Sequence, residues 1–148
     1  MQIVLSSELE LLEYLETSQL AIDARISEIA QQHPWREPVE ALCCFRGIKT
    51  LTAMTIASEI GDIKRFKSPR QLMGYTGLVP SERSSGERQR RGAITRAGNR
   101  YLRRVLVESA WHYSKRAGAT LHLQRRRMGQ PPAIVGIAVK AQHRLQRR

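Results

Sequence analysis

Aspartate is nearly missing from this chain: Asp23 and Asp62 are the only two, and residues 41–148 add just four glutamates, Glu59, Glu82, Glu87 and Glu108. A two-metal nuclease centre needs clustered carboxylates, so a self-sufficient one is excluded. The four histidines, His33, His112, His122 and His143, are scattered at spacings that match no common metal motif. No metal site or cofactor is therefore expected within this chain. Cysteine is equally scarce. Cys43 and Cys44 are adjacent, a poor geometry for a structural disulfide and too few thiolates for zinc; they read as small buried residues in a reducing cytoplasm. No apolar run approaches the ~20 residues that span a bilayer, and the amino terminus lacks the basic-then-apolar order of a signal peptide. A membrane partner is not expected.

Aromatic residues make up only 5% of the 148 residues, against 41% hydrophobic residues in all. The core must then be aliphatic, and the use of Ala, Leu and Ile points to helices packed on helices, an all-α fold. What the chain has in excess is positive charge, +12 in total and unevenly placed. Residues 1–40 hold eight acids against Arg25 and Arg36, a net of −6, whereas residues 41–148 hold 23 bases against five acids, a net of +18. Such a surface repels itself unless a polyanion neutralises it, and nucleic acid is the usual one.

Periodicity divides the chain into residues 1–37 and 38–148. From Leu5 to Ala30 a heptad places Leu5, Leu12, Gln19 and Ile26 on one seam position and Glu8, Leu15, Ile22 and Ile29 on the other, the pattern of a coiled-coil helix that pairs with another helix or a second copy, with an arm packed on its own domain as the alternative. Pro34 and Pro38 end it. Pro38 then suits the first turn of a second helix running to Phe45, Gly47 stops that helix, and a third runs from Thr50 to Ile60. Joined by Arg46-Gly47-Ile48-Lys49, the two resemble a helix-hairpin-helix. There, backbone N–H groups at the turn meet a phosphate; Gly47 and Lys49 are the candidate contacts, and a purely structural hairpin is the alternative. Ser68-Pro69-Arg70-Gln71 has the form of a capping box, opening a short helix to about Tyr75. Gly98-Asn99 starts a further helix, the longest expected in the carboxy-terminal part, with Leu102, Val105, Leu106, Ser109, Ala110 and Tyr113 on one face. Arg100, Arg103 and Arg104 lie in its first turns, where positive charge opposes the helix dipole unless an anion sits there. A last helix is expected from Ala133 to Gln146.

Between Leu78 and Thr95 the periodicity lapses, and Pro80, Gly86 and Gly92 mark a loop or loose hairpin. Ser81, Ser84 and Ser85 lie there among Arg83, Arg88, Arg90 and Arg91, with Arg96 just beyond. A hydroxyl among guanidinium groups serves either of two chemistries. It can bind a phosphate, or it can attack a phosphodiester if the charges neutralise the phosphoryl oxygens and a base takes its proton.

The ordered motifs Phe45-Arg46-Gly47-Ile48, Ala57-Ser58-Glu59-Ile60-Gly61-Asp62, Arg65-Phe66, Tyr75-Thr76-Gly77-Leu78-Val79-Pro80, Ser85-Gly86, Arg91-Gly92, Thr95-Arg96-Ala97-Gly98-Asn99 and Leu102-Arg103-Arg104 resemble the carboxy-terminal domain of the IS110 family of insertion-sequence transposases, which includes pilin-gene invertases. The match runs from about Val39 to Tyr113. The resemblance implies a DNA recombinase in which Ser85, or its neighbour Ser84, is the nucleophile that forms a phosphoserine link to DNA. It also implies a partner RuvC-like domain carrying a DEDD carboxylate set for magnesium, joined through a coiled coil, and in some members a structured guide RNA. Arg46 and Lys49 stand where the family hairpin normally reads Pro and Gly. Because the chain starts at a methionine just before the heptad helix, it is expected to be a truncated element or one piece of a split reading frame, inactive alone. A non-catalytic nucleic-acid-binding module and a helical oligomerisation protein are the readings that compete with it.

Overall fold

The computed structural model describes residues 2–82, 91–114 and 118–146. Seven α-helices follow in chain order: α1 (Gln2–Ile29), α2 (Arg36–Cys43), α3 (Thr50–Ile60), α4 (Pro69–Thr76), α5 (Arg100–Trp111), α6 (Leu121–Arg127) and α7 (Pro132–Gln146). Two short strands, β1 (Pro80–Glu82) and β2 (Arg91–Ile94), pair antiparallel between α4 and α5, with Pro80 opposite Ile94 and Glu82 opposite Arg91. The all-α expectation is thus met as a mainly helical fold and corrected by this ribbon. Strands of three and four residues are too short to show the alternation that marks a strand in sequence.

The hairpin of α2 and α3 packs across α5, and the resulting core holds Val39, Cys43, Ile48, Ala53, Ile56, Leu102 and Val105, with Ala30 from the foot of α1. It is aliphatic, as the shortage of aromatics requires. Trp35, Phe45 and Tyr75 pack only at its margin. Gly47 adopts φ +82°, and a Cβ there would stand 2.6 Å from the Ser109 carbonyl oxygen. Only glycine lets the hairpin turn come this close to the end of α5.

Several local signals work as their chemistry demands. The Ser68 hydroxyl accepts from the Gln71 N–H at 3.4 Å, while the Gln71 side chain reaches one residue further back than a capping box would, accepting from the Lys67 N–H at 2.7 Å. The Asn99 side chain caps α5 by accepting from the Leu102 N–H at 2.9 Å. On α5, Leu102, Val105 and Ser109 are buried and Tyr113 is buried just beyond it, whereas Ala110, expected on the same face, is exposed. The longest carboxy-terminal helix is α7 with 15 residues, not α5 with 12.

Helix α6 has no counterpart in the sequence reading. Thr120 caps it, its hydroxyl accepting from the Leu123 N–H, and its arginines turn back on the hairpin. Arg126 donates to the Ile48 carbonyl and Arg127 to the Cys44 carbonyl at 3.0 Å. These are carbonyls of the α2–α3 connection, where the helical ladder leaves acceptors without partners.

The heptad helix α1 is continuous, but its two ends differ. Ala30 just past its end is buried and Ile26 and Ile29 are half-buried, whereas Leu5, Leu12, Leu15 and Ile22 are 52 to 61% exposed. The seam is therefore covered only where it reaches α3.

Both thiols are free and buried. Burial pushes both thiols above their usual range, partly offset by Arg126 and Arg127 nearby. Since the thiolate is the reactive form, alkylation by iodoacetamide at pH 7 to 8 should be slow for Cys43 and Cys44 in the native protein and fast in urea, as read by mass spectrometry. Prompt labelling of the folded chain would contradict this packing.

Candidate nucleic-acid interface

The motifs that are separated in sequence meet at the amino-terminal end of α5. Asn99 sits at their centre. Besides capping α5, its side-chain amide donates to a Glu59 carboxylate oxygen on α3 and to the Tyr75 hydroxyl at 3.3 Å on α4. The Tyr75 hydroxyl in turn donates to the Glu59 carbonyl at 3.0 Å, and the Asn99 N–H donates to the Tyr75 carbonyl at 2.8 Å. Hydrogen bonds from Asn99 and Arg65 pull the Tyr75 hydroxyl below its usual pKa. Arg65 also lies over the rings of Phe66 and Tyr75, at 4.7 and 4.6 Å from their centroids, a cation–π arrangement.

Two glycines make this junction possible. A Cβ on Gly98 would stand 2.4 Å from the Tyr75 carbonyl oxygen, and Gly77, at φ +67°, would place one 2.7 Å from an Arg103 guanidinium nitrogen. Arg103 donates to the Thr76 carbonyl at 3.0 Å, closing the end of α4. From here the ribbon departs: the Thr95 N–H donates to the Val79 carbonyl at 2.9 Å and the Arg96 N–H to the Gly77 carbonyl at 3.2 Å. Gly92 on β2 faces the Ser81 side chain, whose Oγ a Cβ would meet at 2.5 Å.

The expected contact residues fall into three groups. Ser84, Ser85, Arg83, Arg88 and Arg90 lie outside the described residues, in the segment that connects β1 to β2 in sequence. Arg91, Arg96 and Lys49 are exposed, Arg91 on β2, Arg96 with φ +55° between β2 and α5, and Lys49 at the start of α3. The rest already have protein partners. Arg100 donates to the Tyr101 hydroxyl at 3.0 Å, Arg104 stands 3.9 Å from Glu108 in an exposed pair, Arg103 holds the Thr76 carbonyl, and Gly47 packs on α5. Exposed pairs of this kind contribute little to stability and leave Arg104 able to exchange Glu108 for a phosphate. The contacts of Glu59, Tyr75 and Asn99 were not foreseen individually. Their signal lay in the ordered motifs, which the fold brings to one place.

Among the described residues no three His, Cys, Asp or Glu side chains converge.

The fold is mainly helical, with a two-stranded ribbon between α4 and α5 and with Lys49, Arg91 and Arg96 exposed. The transposase family described as IS116/IS110/IS902 matches residues 39–125, and the chain belongs to that family. The y4qE protein of Sinorhizobium fredii is 49% identical over 92 residues, which is 62% of this chain and 24% of that protein. The transposase for insertion sequence element IS1533 of Leptospira borgpetersenii is 33% identical over 130 residues, 86% of this chain and 37% of the relative. For the transposase of IS1328 from Yersinia enterocolitica the figures are 38% over 80 residues, 54% and 24%. The chain thus spans about a quarter to a little over a third of the length of these relatives.

The Asn99 junction yields a direct test. Asn99→Asp keeps the cap but sets a carboxylate against Glu59 and removes both amide donors, at an expected cost of about 1–3 kcal/mol. Because the like charge raises the folded-state carboxyl pKa, stability of the variant should recover as pH falls from 8 towards 4 and a proton is taken up. Urea melts across that range would show it; a loss independent of pH would mean that the two side chains do not meet.

Proposed function

We propose that this chain is the DNA-binding, serine-nucleophile part of a transposase, acting with a DEDD nuclease domain supplied elsewhere. The observation that carries this reading is family membership over residues 39–125, a span that contains the whole Ser/Arg/Gly segment. The ribbon supports it, since β1 and β2 pair next to the Gly77–Asn99 junction and place the exposed Arg91 and Arg96 there.

In the step proposed, the Ser85 hydroxyl oxygen attacks the phosphorus of a DNA phosphodiester. A serine ester forms, one deoxyribose oxygen leaves and takes up a proton, and the serine proton passes to a base of the partner domain. One P–O ester bond replaces another, so the reaction needs no external energy source and runs back when a second DNA end attacks the serine ester. Ser84 is the adjacent alternative nucleophile. Arg83, Arg88, Arg90, Arg91 and Arg96 neutralise the phosphoryl oxygens, with Lys49, Arg100 and Arg104 further out on the DNA backbone. Magnesium belongs to the partner domain, a structured guide RNA is a further candidate ligand, and the exposed seam of α1 is the surface for a second copy or a pairing helix.

Covalent trapping on a nicked suicide duplex, with and without a DEDD partner, tests the chemistry. Ser85→Ala should abolish the protein–DNA adduct and Ser84→Ala should spare it. The reverse result moves the nucleophile by one residue, and adduct formation by both variants removes the serine mechanism in favour of plain phosphate binding.

A further inference from the structure

The far end of α5 carries a second cationic surface, of which the reading above uses only Lys49. The α2–α3 hairpin, the residues that follow α5 and the start of α6 enclose a cleft of about 960 Å³. Its walls carry Arg46 and Lys49 from the hairpin, His112 from beyond α5, and His122, Arg125 and Arg126 from α6. Neither aspartate nor glutamate lines it among the described residues, and Leu123 is the one large apolar side chain there. Half of the twelve residues that line it are Arg, Lys or His, an unusual share for a pocket that takes a small organic ligand.

The cations in the cleft are not all engaged in holding the fold. Arg126 is committed to the Ile48 carbonyl, whereas Lys49 and Arg125 are exposed. Lys49 precedes α3 without a side-chain cap, so the first turn of that helix opens beside Thr50 and Thr52 on the same wall. Like charges gathered in a concave surface without carboxylates repel one another, and their field favours a polyanion.

We propose that this cleft grips a DNA phosphodiester backbone through Lys49 and Arg125, as a second contact separate from the ribbon. The inference rests on the reading of the chain as a DNA-binding part of a transposase. Asn99 and His112 mark the two ends of α5, whose 12 residues span about 18 Å at 1.5 Å per residue. That distance is roughly five base steps at 3.4 Å each. A duplex lying along α5 would cover the length of that helix in about half a helical turn.

Affinity for a duplex oligonucleotide, measured against salt concentration, provides the test. Each phosphate contact removed should lower the slope of log K on log salt by about 0.9, so Lys49→Gln/Arg125→Gln should lower it by about 1.8 and weaken binding about tenfold at low salt. Arg125→Lys keeps the charge and should keep the slope, while an unchanged thermal melt of each variant separates lost contacts from lost fold. Wild-type affinity and slope in the double variant would overturn the cleft and leave the DNA-binding reading standing. A wild-type chain that binds no duplex would overturn both. Loss of binding to a single-stranded RNA of equal length, with duplex binding unchanged, would overturn the assignment to DNA.

Discussion

Three stretches of chain far apart in sequence converge on one amide, that of Asn99, and the meeting of α3, α4 and α5 depends on it. Its oxygen starts α5, its nitrogen holds Glu59 of α3 and Tyr75 of α4, and its backbone N–H holds the Tyr75 carbonyl. A single side chain thus sets where three helices end relative to one another. A network like this is worth more than its bonds taken singly, because each partner would otherwise be a partly buried polar group without a mate. Gly77 and Gly98 contribute by what they lack, since a Cβ at either would push the segments apart.

The large positive charge of residues 41–148 is not a uniform coat. Arg103, Arg126 and Arg127 donate to main-chain carbonyls at the end of α4 and in the α2–α3 connection, so they do structural work that a planar, permanently charged donor suits well. Lys49, Arg91, Arg96 and Arg125 are exposed instead. Charge counting points to a polyanion, but it overstates the number of cations that remain to meet one.

The elements most legible in sequence are those with chemical punctuation. Ser68-Pro69 and Gly98-Asn99 start α4 and α5, and Gly47, Gly61 and Gly77 end or turn the elements before them. Helix α6 escaped because a seven-residue helix with three consecutive arginines has no periodic apolar face; Thr120 was its one signal. The ribbon was legible only as a loop or loose hairpin between Leu78 and Thr95, since its strands are too short to show alternation. At the site, the arginines and serines were legible as a composition, whereas the division between structural and exposed arginines was not, because it depends on which carbonyls the tertiary fold leaves without partners. The contact between Gly47 and the end of α5 was hidden for the same reason.

Helix α1 has a mechanical meaning beyond its seam. Its 28 residues form a rod of about 42 Å, fixed to the domain only at the foot, where Ala30 is buried and Ile26 and Ile29 are half-buried. One extra residue between Ile22 and Ile26 would lengthen the rod by only about 1.5 Å but swing Leu5, Leu12 and Leu15 by about 100° around its axis. The rod therefore transmits azimuth far more sensitively than distance.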